Sequence, residues 1–460
     1  MDRLAHLGRV VSVAGAARVA IVGGGYAGMA TAVALAESGI PTTVFEAGKE
    51  LGGRARRIDY RGEVLDNGQH ILSGAYSALL RMMALTGVPE TASTRIPLRL
   101  SLRPEFTLQA PRWIAPLHLA WALLTARGLT LPERYAAIAF MQSMKACRFQ
   151  VDPGQTVSLL LAAHHQPEKL SRYLWEPLTI SALNTPVNVA SAQVFASVLR
   201  DALAGKRECS DLILPRADLS ALFPDAAARW LAAKGSNVRA GVKIKSVNAT
   251  TATQHNESKF NIETSDGETL PFDAVVLAIG PHQFDSMSLP QALNPAIHFQ
   301  YEPIVTVYLK FTTAVNLPET MFGQTGGIAQ WFFDRRQLSE QAGGGENRGA
   351  LIAAVISASG AHEEMTHEVL ASTVLAELAR HTGLLPPLEW HKVITEKFAT
   401  FACTPELHRR RPPALTATPG LFLAGDYVAG DYPATLEGAV RSGVNAARLV
   451  ASHLSKTATA

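Results

Sequence analysis

Gly23, Gly25 and Gly28 stand at G-x-G-x-x-G spacing, directly after the apolar run Val19 to Val22. Each glycine has its own use: Gly23 allows a tight turn, Gly25 lets backbone approach a pyrophosphate, and Gly28 lets a helix touch a strand. Met29, Val33 and Leu35 follow among alanines, in a stretch suited to a helix packed closely on a sheet. The start of that helix offers unpaired N–H groups to phosphate oxygens. Gly39 ends it, and Thr42 to Phe45 reads as a second strand closing on Glu46, eighteen residues past Gly28. A carboxylate at that place can accept hydrogen bonds from a ribose with a free 2′-hydroxyl. Strand, helix, strand and acid together predict a dinucleotide site, and the unit fits NAD or FAD.

The residues that follow favour FAD. Gly52, Gly53 and Arg54 can lay backbone and a guanidinium along a diphosphate that reaches further into the protein. Asp66-Asn67-Gly68-Gln69-His70 forms a polar turn between the strand-like Ile58–Leu65 and the apolar Ile71-Leu72. Near the C-terminus, Leu421 to Ala424 leads into Gly425-Asp426, and Tyr432-Pro433-Ala434-Thr435-Leu436 opens a stretch running to Gly443. That reads as strand, Gly-Asp turn, loop and helix. Asp426 could hold the ribityl hydroxyls, and the helix start at Thr435 and Leu436 could stabilise negative charge on a reduced flavin. A fold that binds NAD alone has no need of this second half.

On these residues, with Ala399-Thr400-Phe401 and Glu437-Gly438-Ala439, the chain resembles the FAD-dependent amine oxidase and phytoene desaturase superfamily over nearly its whole length. The Asp66–His70 turn and the run from Gly425 to Ala439 make it look most like the hydroxysqualene dehydroxylases, the squalene-associated desaturases of hopanoid pathways. The resemblance implies an α/β chain: a Rossmann-like FAD-binding domain of glutathione-reductase type with an inserted α+β substrate domain. It also implies reduction of hydroxysqualene to squalene, with a carotenoid desaturase or isomerase, or an amine oxidase, as the alternative. The sequence names no electron donor for the flavin.

The elements that would position these motifs come in alternating blocks. Residues 18–95, 212–282 and 398–454 look like nucleotide-domain material, and 96–211 and 283–397 like the substrate domain. Leu219 to Lys234 has helical spacing, Val242 to Val247 and Phe260 to Thr264 alternate as strands, and Ala274 to Pro281 reads as a buried strand. Val242 resembles the family position whose backbone contacts adenine, or is an ordinary strand valine. In the inserted blocks, Leu131 to Phe149, Val157 to His164 and His367 to His381 read as helices. Ile304 to Phe311, Gly327 to Phe333 and Leu351 to Ser357 read as strands, and Gly343-Gly344-Gly345 as a loop.

Composition sets limits. A chain of 460 residues, 47% hydrophobic, with mean hydropathy +0.10 can bury two intergrown cores, yet no run reaches the roughly 18–20 apolar residues of a membrane span. A formal net charge of +3 gives no nucleic-acid surface. Cys147, Cys209 and Cys403 lack metal or redox spacing and read as reduced thiols of a cytoplasmic protein. The first 17 residues lack the continuous apolar core of a cleaved signal peptide. Arg409-Arg410-Arg411 before two prolines reads as a solvated loop, with phosphate or lipid-headgroup contact as the alternative. Arg112 to Arg127, with Trp113 and Trp121, reads either as a surface lying on the inner face of the cell membrane or as a buried helix.

Scattered histidines without carboxylate partners predict no metal site, which leaves the chemistry to the flavin. A hydroxyl leaves poorly, so a proton donor should stand beside it. Asp431, Tyr432 and His70 lie closest to the inferred flavin. His70 has an alternative reading as a turn residue that holds the flavin loop. Amine oxidases usually line the flavin with an aromatic cage, which would require a ring partner for Tyr432.

Overall fold

A computed structural model describes residues 17–250, 259–290, 298–338 and 349–458. Residues 1–16 and Gly343–Gly345 lie outside them. Five strands from distant parts of the chain form one parallel sheet, in the order Asn237–Ala240, Thr42–Glu46, Val19–Val22, Ala274–Leu277, Leu421–Leu423. Both faces of this sheet are covered, so Val19–Val22, Ala274–Leu277 and Leu421–Leu423 are buried at every position. That is why these strands read as unbroken apolar runs and not as alternating ones. Helices Tyr26–Glu37 and Leu436–Ala458 pack on the sheet and on each other. Their approach is close: a Cβ on Gly443 would sit 2.3 Å from the Ala27 carbonyl.

A second, seven-stranded sheet runs Leu388–Phe401, Tyr301–Phe311, Leu351–Ser357, Trp331–Asp334, Met321–Gln324, Arg99–Arg103, Phe106–Gln109. It is antiparallel apart from the pairing of Met321–Gln324 with Arg99–Arg103. Helices Leu131–Ala146, Val157–Ala163, Glu176–Leu183 and Ala192–Leu203 lie in the intervening chain. The divisions expected at 95–96 and 397–398 fall inside the strands Ser93–Ile96 and Leu388–Phe401, which therefore run from one part into the other. Of these two strands, Leu388–Phe401 belongs to the second sheet, while Ser93–Ile96 pairs with Leu212–Pro215 in a separate three-stranded sheet.

Several elements differ from their sequence reading. Leu219–Lys234 is two helices, Leu219–Leu222 and Pro224–Ala233, because Pro224 lacks an N–H and forces a break at Phe223 (φ −148°, ψ −53°). Ile58–Leu65 is a hairpin, Arg57–Tyr60 with Glu63–Asp66, turning at Arg61 and Gly62, both with positive φ. The helix from Leu131 stops at Ala146, since Arg148 and Phe149 also have positive φ. The strand expected from Val242 starts at Ile244. Val242 instead donates its N–H to the Glu46 carbonyl at 2.9 Å, pinned to the end of the second parallel strand. Gly327–Phe333 is a strand only from Trp331.

Candidate active site

One cavity of about 1130 Å³ is lined at one end by the parallel-sheet motifs and at the other by the helices and strands of the second sheet. At the first end Gly23 has φ +113°, and a Cβ there would lie 2.6 Å from the Ala278 carbonyl, so only glycine fits the turn. Gly28 does not line the cavity; its Cβ would fall 1.9 Å from the Gly23 carbonyl, which makes it the helix–strand contact. Gly25 is different. It precedes the first helix in extended conformation, and a Cβ there would meet nothing nearer than 3.8 Å, the Gly53 backbone. Gly52 donates its N–H to the Gly24 carbonyl at 3.0 Å, so two glycine backbones lie side by side at a helix N-terminus. Glu46 lines the same end, its carboxylate oriented by the N–H groups of Gly24 (2.7 Å) and Gly48 (2.8 Å). Val242 lines it as well.

Further along, Arg54 donates to Asp426 Oδ1 at 2.7 Å and to the carbonyls of Phe398 and Ala399 at 3.2 and 2.9 Å. Gly425, Asp426, Thr435 and Leu436 line the cavity here. Thr435 Oγ1 accepts from the Gly438 N–H at 3.0 Å, capping the long C-terminal helix where it meets the cavity. Glu437 turns away: fully buried, it accepts from the N–H groups of Ala78 and Leu79 and from Arg441. The hydroxyl of buried Tyr427, which also lines the cavity, finds no partner among the described residues.

The Asp66–His70 turn divides its work. Asp66 faces away from the cavity, where its carboxylate accepts from the Leu219 N–H at 2.8 Å and pairs with buried Arg335 at 3.1 Å. Burial raises its pKa against the pull of Arg335. Asn67 ties the turn to the Arg54 carbonyl and to Glu396. His70 lines the cavity with Nδ1 donating to the Gly68 carbonyl at 2.7 Å. Burial lowers its pKa, so the ring is neutral and its Nε2 is an acceptor.

Arg411 corrects the solvated-loop reading. It is 6% exposed, because its guanidinium donates to the carbonyls of Asp426 (2.7 Å), Tyr427 (3.3 Å), Val428, Gly430 (3.0 Å) and Tyr432 (2.7 Å). One side chain thus fixes the backbone that carries Asp426 at one end and Tyr432 at the other. Nothing in the local sequence signals this, since a basic run before prolines looks like surface.

Asp431 is a second correction. Its side chain is 74% exposed, with Arg200 4.0 Å away, and it does not line the cavity. An apolar pocket cannot hold a solvated carboxyl protonated. Tyr432 does line the cavity, and its hydroxyl donates to Asp201 Oδ2 at 2.5 Å. The face of its ring is covered by the Arg441 guanidinium at 4.1 Å, where an aromatic cage would need a second ring. Burial raises the Tyr432 pKa, keeping the phenol protonated. Sequence reading missed Asp201, 231 residues away on an amphipathic helix with no motif of its own.

Cys403 is fully buried in the core and does not line the cavity, and burial pushes its thiol up to about 12. Among the described residues no cluster of His, Cys, Asp and Glu could hold a metal ion. The glycine backbone at Gly25 and Gly52–Gly53, the ribose-ready Glu46, the unpartnered Tyr427 hydroxyl and the capped helix start at Thr435 fit a dinucleotide that continues into a polyol and a ring: FAD.

Comparison with known proteins agrees. A hydroxysqualene dehydroxylase of Zymomonas mobilis is 29% identical over 453 residues, covering 94% of this chain and 99% of that one. A zeta-carotene desaturase of Synechocystis is 24% identical over 497 residues, covering 96% and 99%. A solved putrescine oxidase variant shares the fold, with TM-score 0.68 and 17% identity over 95% of this chain and 99% of that one. The family model for flavin containing amine oxidoreductases matches residues 26–451, and the chain belongs to that family.

Proposed function

We propose that the protein is an FAD-dependent hydroxysqualene dehydroxylase, which reduces hydroxysqualene to squalene with loss of the hydroxyl as water. The carrying observation is that the flavin-fitting end opens, without a break, into a chamber lined by Leu100, Leu178, Phe195, Leu199, Trp331 and Phe333. Such a wall suits a long hydrocarbon chain. The relatives named hydroxysqualene dehydroxylase are closer in sequence than the carotenoid desaturase, and the arginine over Tyr432 disfavours a cationic amine.

Flavin, when bound and reduced, supplies a hydride to carbon. The chain's own residues would do the rest. The Gly25 and Gly52–Gly53 backbones hold the diphosphate and Glu46 the ribose. Val242 meets the adenosine, while Arg54 and Asp426 orient the polyol, and the helix N-terminus at Thr435 and Leu436 favours negative charge on the ring. Tyr432, neutral and facing the cavity, can donate to the leaving oxygen. His70, neutral with Nδ1 committed to Gly68, is an acceptor that holds the flavin loop. Apolar walls exclude water from the reacting carbon. The test is anaerobic reduction of the purified protein followed by hydroxysqualene: flavin reoxidation with squalene formed supports the reading, and oxidation only by a polyene or an amine overturns it.

A substrate this apolar should be drawn from a bilayer at the cytoplasmic face. Trp113, Ile114, Leu117, Trp121 and Leu124 are 48, 74, 54, 46 and 43% exposed, a patch on and before the helix Leu117–Thr125, with Arg112 and Arg127 at its ends. On the inner side of that helix buried His118 bonds Ser210, which lines the cavity, at 3.1 Å. Among the described residues no helix is long and apolar enough to cross a membrane. The patch therefore suits peripheral contact, which liposome flotation would test.

A further inference from the structure

We propose that Asp201 and Tyr432 form a subsite for the substrate's single hydroxyl, with Asp201 setting the direction of the Tyr432 phenol; this rests on the dehydroxylase reading. Asp201 sits on the helix Ala192–Leu203, whose Val198, Leu199 and Ala202 line the cavity beside it. Its Oδ2 accepts from Tyr432 at 2.5 Å and its Oδ1 from Arg200 Nε at 2.7 Å. Arg441 lies 3.8 Å from Oδ2 while covering the Tyr432 ring at 4.1 Å. Burial pushes the Asp201 carboxyl up, but the bonds from Arg200 and Tyr432 outweigh it and hold the group ionised.

An acceptor already matched by two guanidiniums and a donor beside it suit an uncharged guest that both donates and accepts. An alcohol does this: its hydrogen goes to the carboxylate while its oxygen accepts from the phenol. An ammonium ion would meet Arg441 instead of an unpaired anion. A hydrocarbon leaves the Tyr432–Asp201 bond closed, so the product strands no polar group and can depart. The pair would thus select reactant over product by an added bond, and turn the phenol toward the oxygen that leaves.

The experiment measures binding of hydroxysqualene and of squalene, in detergent micelles, to the oxidised FAD-loaded protein. Wild type should prefer the alcohol, and Tyr432→Phe and Asp201→Asn should each lower the alcohol-to-hydrocarbon preference about tenfold or more. Asp201→Glu should restore part of it. An unchanged preference in variants with normal flavin content overturns the subsite. If Asp201→Asn loses flavin, Tyr432→Phe decides alone, since it keeps the ring against Arg441. Selective binding without conversion by wild type would sink the dehydroxylase reading and leave the subsite standing. Conversion with no effect of either variant on preference would do the reverse.

Discussion

The two ends of the cavity are built in different ways. The dinucleotide end is made mostly of backbone: glycines that admit a diphosphate, a helix N-terminus that faces it, and the Glu46 carboxylate fixed by neighbouring N–H groups. The substrate end is made of side chains brought from afar, as when Tyr432 meets Asp201 across 231 residues. Backbone recognition needs consecutive residues and so leaves a spaced motif. Side-chain recognition needs only that two surfaces meet, and leaves none.

The sharpest way to break this contrast is at Gly25. Because a Cβ there makes only ordinary van der Waals contact, with the Gly52–Gly53 backbone at 3.8–3.9 Å, Gly25→Val should fold yet purify without flavin, read from the absorbance ratio of protein to flavin. Gly28→Val should instead lower folding yield, since its side chain would strike the Gly23 carbonyl. A yellow Gly25→Val protein would show that the diphosphate lies elsewhere.

At the substrate end, Tyr432→Phe should keep flavin but slow single-turnover reoxidation by hydroxysqualene about 10² to 10⁴-fold, while Asp431→Asn should match wild type. A wild-type rate in Tyr432→Phe would move the donor elsewhere, with His70 next to test.

Arg411 joins the two ends, and its loss should damage both. Arg411→Leu strands buried carbonyls at about 1–3 kcal/mol each, so stability should fall by about 3 kcal/mol or more in denaturant melts. Flavin content should drop with it. A variant that loses neither would uncouple the Asp426 turn from Tyr432.

Smaller effects are expected outside the cavity. Trp113→Glu/Trp121→Glu should reduce liposome flotation about tenfold or more while leaving flavin content unchanged; equal flotation removes the patch from membrane contact. Cys403→Ser should change nothing in flavin retention. Acid precipitation should release all FAD from wild type, and at pH 8 iodoacetamide should label exposed Cys147 and not Cys403, whose thiol stays protonated.

Legibility followed the same division. The dinucleotide turn, Glu46, the Gly-Asp turn and the parallel-sheet strands Val19–Val22, Thr42–Glu46, Ala274–Leu277 and Leu421–Leu423 could be read because local sequence and fold demand the same residues there. Leu219–Lys234 failed because helical spacing hides a proline that stops a helix, and Ile58–Leu65 because strand propensity outweighed Arg61-Gly62. Asp431 and Tyr432 are neighbours with opposite fates, one in solvent and one in the cavity, and no spacing rule separates them. Arg411 looks like surface from its neighbours, yet the loop that folds over it supplies carbonyls in place of water.

By itself the sequence determined that this chain binds a dinucleotide extended into a flavin, because glycine, helix start and acid must follow one another at fixed intervals for a backbone to cradle a phosphate. It also determined the family, through turns whose residues are dictated by that cofactor. Only the tertiary structure decided which side chains face the apolar chamber, which carboxylate partners Tyr432, and where the tryptophans point. Those outcomes depend on how two sheets and their helices pack, and packing couples residues that the chain keeps hundreds of positions apart.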